Sequence, residues 1–184
     1  NKTPLQYART PNMDKLAATS LIGQVRTVPE GYPPGSDVAN LSVMGYDPRK
    51  YYTGRSPLEA VSMGVELDVS DLALRCNLVT LSTEDNYQDK TMLDYSSGEI
   101  TSAESAQLIE AVKQELGSSI FNFHAGISYR HLLVWKDGIN KELVLTPPHD
   151  ISKRKLGEYL PGGHDGKILL DLMIRSEAVL KSHP

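Results

Sequence analysis

Ile120-Phe121-Asn122-Phe123-His124-Ala125-Gly126-Ile127-Ser128-Tyr129-Arg130-His131-Leu132-Leu133-Val134-Trp135-Lys136 decides the fold. Two runs rich in aromatic and branched residues, 120–124 and 128–136, flank Ala125-Gly126, which is the pattern of two antiparallel strands with a short connection. Just before them, Thr101-Ser102-Ala103-Glu104 forms a capping box, in which threonine and glutamate satisfy two N–H groups that the first helical turn leaves open. The helix it opens carries Leu108, Ile109, Val112 and Leu116 on one side and ends at Gly117. Asp137-Gly138 signals a further tight turn. A helix feeding a hairpin argues against a bundle or a sandwich and for an α/β or α+β arrangement.

Outward from this centre, Leu72 to Leu81 reads as one long strand, with an arginine inside it, followed by a polar loop from Ser82 to Lys90. Met92 to Ile100 is a short strand and loop, and Leu143-Val144-Leu145 another short strand. After Gly162-Gly163 a long amphipathic helix carries Ile168, Leu169, Leu172, Met173, Val179 and Leu180. In the first third, Thr10 as N-cap and Pro11 at the first position open a helix with Met13, Leu16 and Ala17 as its apolar stripe, broken by Gly23. Gln24 to Val28 reads as a strand stopped by Pro29, and Tyr46 to Arg55 as a polar, aromatic loop. Ser56-Pro57-Leu58-Glu59 is a second capping box, opening a short helix that runs to about Met63 and stops at Gly64. Asp68 to Asp71 is a turn.

With 184 residues the chain can bury one real core or two small ones. It is 40% hydrophobic and 23% charged, with net charge −4 and pI 5.7. No basic block is present, so nothing points to nucleic acid, and no apolar run of ~18 residues points to a membrane span. The single cysteine, Cys76, excludes a disulfide within the chain and fits a reducing compartment, hence an expected cytoplasmic location. Embedded in Leu74-Arg75-Cys76-Asn77-Leu78-Val79, it reads as a small buried hydrophobe. The chain begins at Asn1 without methionine and stops at Pro184 straight after a long helix, and so reads as a piece of something larger.

Chemistry is suggested first by Gly31-Tyr32-Pro33-Pro34-Gly35-Ser36-Asp37-Val38-Ala39-Asn40-Leu41. This Pro/Gly-rich loop delivers Ser36 at the N-cap position of a helix of about two turns, with Val38, Leu41 and Met44 on one side and Gly45 as terminator. A hydroxyl there faces unpaired N–H groups that suit a phosphate or an oxyanion. Ser36 is therefore either a cap, the commoner case, or a nucleophile. Arg55, Arg75 and Arg130, the last followed by His131, stand at the edge of or inside apolar segments. Such arginines are usually solvated or ion-paired, but together they also suit a small substrate with phosphate and carboxylate groups, which the planar guanidinium meets bidentately. His149-Asp150 and His131 are further candidates for proton transfer or metal binding. There is no HExxH, no paired CxxC, no P-loop and no GxGxxG, and Ser36 lacks the second glycine of a G-x-S-x-G elbow.

Longer motifs extend the reading. Thr3-Pro4-Leu5, Thr10 to Ala17, Val28-Pro29-Glu30-Gly31, Pro33 to Ser42, Gly45-Tyr46-Asp47-Pro48, Tyr51 to Arg55 and Pro57-Leu58-Glu59-Ala60 resemble the archaeal-type 2,3-bisphosphoglycerate-independent phosphoglycerate mutases. So do Arg75 to Thr80, Asp94-Tyr95-Ser96, Ser128-Tyr129-Arg130-His131 and Pro147 to Ile151. The family is alkaline-phosphatase-like, a two-metal α/β lobe interrupted by an inserted α+β substrate domain of antiparallel sheet and helices. The resemblance implies that residues 1–65 belong to the phosphatase-like lobe, 66–158 to the inserted domain, and 159–184 to a helix returning toward the lobe. It implies Ser36 as metal ligand and phosphoryl acceptor, supported by Asp37 and Asn40, with Arg55, Arg75, Arg130 and His131 holding a small phosphorylated hydroxy acid.

The implied reaction moves phosphate from one hydroxyl of phosphoglycerate to Ser36 and back to the neighbouring hydroxyl. Two divalent ions (Mn2+, Mg2+ or Zn2+) would serve it, with their other ligands outside this chain. No ion is expected to bind tightly to this piece, which is expected to be inactive alone. A homoserine kinase-like phosphotransfer on the same scaffold, or a non-catalytic module binding a small ligand, remain as alternatives.

Overall fold

The computed structural model describes residues 2–32 and 34–183. Asn1, Pro184 and Pro33 of the Gly31–Leu41 stretch lie outside the described residues. Two compact units divide the chain, Asn1–Thr53 and Gly54–Pro184.

The first unit is helical. Helix α1 (Pro4–Tyr7) is opened by Thr3, whose hydroxyl accepts from the Gln6 N–H while the Gln6 side chain accepts from the Thr3 N–H. Helix α2 (Pro11–Thr19) starts at Thr10 with proline first, as expected, although the Thr10 hydroxyl donates to Asp14 (3.1 Å) rather than capping the backbone. The strand expected at 24–28 does not form. A β-rich sequence becomes a strand only when a ladder satisfies its N–H and C=O groups, and no partner strand lies beside it among the described residues.

Helix α3 (Ser36–Val43) ends as the sequence indicates. Gly45 takes φ +87°, the Gly45 N–H donates to Ser42 O (3.1 Å) and the Tyr46 N–H to Leu41 O (2.9 Å). This closes the last turn with a left-handed residue that only glycine adopts without penalty. The expected loop from Tyr46 to Arg55 contains one more turn of helix, α4 (Pro48–Tyr51), because the Asp47 carboxylate accepts from the Arg49 N–H (3.0 Å) and Pro48 takes the first position.

The second unit is a helix-covered antiparallel sheet. Helix α5 (Arg55–Ser62) leads into strand β1 (Leu72–Asn77) through a turn in which the Asp71 N–H donates to Asp68 O (3.0 Å). The long strand expected over 72–81 is cut at Leu78-Val79, and β2 (Thr80–Leu81) pairs instead with β3 (Met92–Asp94) in a separate two-stranded sheet. Helix α6 (Ser102–Leu116) follows, with its capping box formed in full. Strands β4 (Phe121–Ile127) and β5 (Arg130–Trp135) form the hairpin, and helix α7 (Gly166–Ser182) closes the chain. The sheet order is β1-β5-β4, antiparallel throughout.

The hairpin turn falls at Ser128-Tyr129, not at Ala125-Gly126. The register slips between His124 and Ile127, so Ala125-Gly126 is a bulge inside β4. A Cβ on Gly126 would lie 2.2 Å from the Arg130 carbonyl oxygen, so the bulge admits only glycine there. Leu143 to Leu145 makes a single bridge, Val144 to Gly162, rather than a strand.

Alternation along the strands gives the sheet two different faces. One bears Leu72, Leu74, Cys76, Leu133, Trp135, Phe121 and Phe123, covered by Ile109, Val112 and Leu116 of α6 and by Leu169 and Leu172 of α7. The other bears Ala73, Leu132 and Val134 against Ala60 of α5. Ala60 is fully buried in that contact, so α5 packs with the sheet in the second compact unit. Helix α7 packs on α6 within the same unit. The segment from Ser82 to Lys90 is tied down at its end. Lys90 is buried, its ammonium donating to Ser82 O (3.4 Å) and Glu84 O and pairing with Glu177 of α7 (3.1 Å).

Candidate functional site

Ser36 is not an N-cap. The Ala39 N–H donates to Gly35 O (3.0 Å), so Gly35 is the cap and Ser36 the first helical residue of α3. Its hydroxyl is exposed beside the open N–H groups of the first turn, where the helix dipole favours an anion. Fully buried Val38 anchors the turn from behind. Asp37, next to Ser36, accepts a 2.5 Å hydrogen bond from the Tyr52 hydroxyl, and the Tyr32 ring meets Tyr52 edge-on. Asn40, one turn further along α3, is exposed.

Arg55 and Arg75 meet in the other unit, at a residue that sequence reading assigned to a helix cap. Ser56 and Glu59 form no capping box, because the cap of α5 is Gly54. Glu59 turns instead to the cations: its Oε1 lies 3.6 Å from Arg55 Nε and 3.6 Å from Arg75 Nη2. The spacing of Arg55 and Glu59, four apart on a helix, is the signal that would have found half of this arrangement. Arg75 Nε and Asn77 Oδ1 are buried and have no hydrogen-bond partner among the described residues. In the register, Arg75 stands opposite Leu132 and Asn77 opposite Arg130. Arg75, Asn77 and Arg130 thus share the α5 face of the sheet, and Arg130 is exposed with its guanidinium 5.4 Å from the Tyr129 ring.

His131 is not with them. It pairs with Cys76 in the register and so lies on the α6 face. It is 2% exposed, and the Gly126 N–H of the bulge donates to its Nδ1 (3.0 Å), while Nε2 has no partner among the described residues. Burial lowers its pKa to about 4, so the ring is neutral near pH 7. Cys76 is equally inert, its thiol pushed up to about 11 by burial. His149 is exposed, 3.5 Å from Asp150 and edge-on to the Tyr95 ring.

Among the described residues, no three His, Cys, Asp or Glu side chains gather as a metal site would require. Ser36 offers one oxygen donor and Asp37 is already engaged by Tyr52, so these side chains do not by themselves build a two-ion site. Among the described residues, no helix is long and apolar enough to cross a membrane.

An exposed serine at a helix start and arginines on a sheet face are each groups that suit an anion. The family model described as 2,3-bisphosphoglycerate-independent phosphoglycerate mutase matches residues 17–184, and the chain belongs to that family. A probable 2,3-bisphosphoglycerate-independent phosphoglycerate mutase of Geobacter sulfurreducens is 55% identical over 100% of this chain and 45% of its own length. A Methanosarcina barkeri protein named as the same mutase is 52% identical over 100% of this chain and 44% of its own. Among solved structures, a Pyrococcus horikoshii protein matches with a TM-score of 0.64 at 27% identity, covering 99% of this chain and 40% of that one. A cofactor-independent phosphoglycerate mutase from Thermoplasma acidophilum shares the fold with a TM-score of 0.56, over 82% of this chain and 40% of that one. The chain thus spans about 45% of the length of the curated relatives it matches.

Proposed function

We propose that this chain is the segment of a phosphoglycerate mutase that carries the phosphoryl acceptor and holds the substrate. Ser36 takes the phosphoryl group from one hydroxyl of phosphoglycerate and returns it to the neighbouring one, interconverting 3-phosphoglycerate and 2-phosphoglycerate in a cytoplasmic setting. The observation that carries this reading is the exposed Ser36 hydroxyl at the first turn of α3, beside an Asp37 held in place by Tyr52. The first-turn N–H groups are placed to receive the phosphate that Ser36 accepts. Arg55, Arg75 and Arg130 offer charge to a phosphorylated hydroxy acid, Glu59 holding the first two. Under this reading His131 acts indirectly, by fixing the β4 bulge that precedes the hairpin turn.

Residues 1–65 are assigned to the phosphatase-like lobe, 66–158 to the inserted domain and 159–184 to the returning helix. The reading includes two divalent ions, Mn2+, Mg2+ or Zn2+, to which Ser36 Oγ offers one donor. Such ions lower the pKa of a bound hydroxyl and neutralise phosphate charge.

The test is Ser36→Ala in the full-length enzyme. Mutase activity should fall at least about 1,000-fold, as expected for loss of a nucleophile, while 3-phosphoglycerate still binds. Rapid acid quench of the unsubstituted enzyme with labelled substrate should place the label on Ser36. A variant that keeps its activity would end the reading.

A further inference from the structure

We propose that Asn77 determines specificity by accepting a hydrogen bond from the ligand's free hydroxyl, while Arg75 Nε donates to its anionic group. The inference deepens the substrate reading above and rests on it. Of the described buried side-chain atoms, three lack a hydrogen-bond partner, and two of them, Arg75 Nε and Asn77 Oδ1, lie on the same face of one strand. Leaving a buried donor or acceptor unmade costs about 1–3 kcal/mol, so a fold that leaves two side by side is one in which something else completes them.

Their chemistry states what that is. Arg75 Nε–H, on a permanent cation, seeks an anionic oxygen, and its Nη2 side is already turned to Glu59. Asn77 Oδ1 seeks a donor, which neither a phosphate dianion nor a carboxylate supplies. One ligand satisfying both must carry an anion and a hydroxyl. Residues two apart on a strand stand about 7 Å from each other along the chain, a span that a three-carbon phosphorylated hydroxy acid bridges. Arg130, opposite Asn77, adds positive charge at the hydroxyl end. An anion without a hydroxyl would bury Asn77 Oδ1 still unpaired, and that is the source of discrimination.

Isothermal titration of this chain compares 3-phosphoglycerate with 3-phosphooxypropanoate, the same molecule without its 2-hydroxyl. The unsubstituted chain should prefer the hydroxylated ligand by at least about tenfold, the equivalent of one hydrogen bond. Asn77→Leu should bind both equally. Asn77→Asp, isosteric and still an acceptor, should keep the preference while binding both ligands more weakly through charge repulsion; it decides the matter if the leucine variant does not fold. Equal binding by the unsubstituted chain, a preference surviving in Asn77→Leu, or a preference lost in Asn77→Asp would overturn the inference. Arg75→Leu separates this from the broader reading. It should weaken both ligands at least about tenfold; if it weakens neither, the arginine site itself fails, and the role of Asn77 with it.

Discussion

A histidine that keeps one ring nitrogen bonded to a backbone N–H and buries the other cannot take up a second proton cheaply. His131 is in that position, and its pKa of about 4 lies below the usual value of 6.5 because burial disfavours the imidazolium. The sign of the consequence follows. Between about pH 6.5 and 4 the unfolded chain binds a proton at this residue and the folded chain does not. Stability is therefore full above 6.5 and falls as pH drops toward 4, by up to about 3 kcal/mol from the shift alone. His124, lowered by burial and then by Lys113, acts in the same direction. Urea unfolding at pH 7.5 and 4.5 should show the loss, and His131→Asn, less stable at neutral pH, should show a smaller one. An unchanged pH slope in that variant would exclude His131 as the source. Residue identities such as these were partly legible in the sequence. Arg130 and His131 both interrupt an apolar run and read together as substrate-holding residues, but neighbours in a strand point to opposite faces, and the register sets them apart. Glu59 was misread because it stands three residues after Ser56, as in a capping box, and also four after Arg55, as in a helical ion pair, while Arg75, the other half of the clamp, lies on a different element.

Among the elements, those legible from sequence are those whose signals are local. The capping box of α6, the proline start of α2 and the left-handed glycine after α3 each act within about one turn of helix, and each ends up where the sequence puts it. Strand partnership is not local. Leu72 to Leu81 reads as one continuous strand, yet the chain leaves the first sheet at Leu78, because Val79 and Leu81 pack with Met92, Ile151 and Leu156 in another cluster. The same blindness hid the fixing of Lys90, a lysine in a polar stretch whose partner Glu177 lies far along the chain on α7. Burial alone would raise the Glu177 carboxyl, but hydrogen bonds from Lys181 and Lys90 hold it below its ordinary value. Removing the carboxylate strands a buried ammonium. Glu177→Leu should therefore destabilise the chain by about 3 kcal/mol, seen as a lower urea midpoint, whereas exposed Lys181→Leu should cost less than about 1 kcal/mol. Equal effects would mean that the exposed pair, not the buried one, fastens the loop to α7.

At the scale of the molecule, the two halves of the proposed chemistry belong to different compact units. Ser36 and its Asp37–Tyr52 support lie in Asn1–Thr53, and the arginine face lies in Gly54–Pro184. An arginine face on a covered sheet is complete in itself: its strands, the helix over it and Glu59 all belong to one unit. A serine nucleophile is not complete in itself, because a hydroxyl of ordinary pKa attacks phosphorus only when something withdraws its proton or its charge. Near Ser36 the only acidic neighbour on its own turn is engaged by Tyr52, and among the described residues no group of three His, Cys, Asp or Glu could gather an ion to replace it. Binding and turnover should therefore separate in this chain. Supplied with Mn2+ or Mg2+, it should bind 3-phosphoglycerate, with affinity lost in Arg75→Leu, yet an enolase-coupled assay should detect no conversion to 2-phosphoglycerate above the uncatalysed rate. Turnover that Ser36→Ala abolishes would show that these 184 residues activate the serine by themselves, and that the means of activation lies among side chains assigned here to structure.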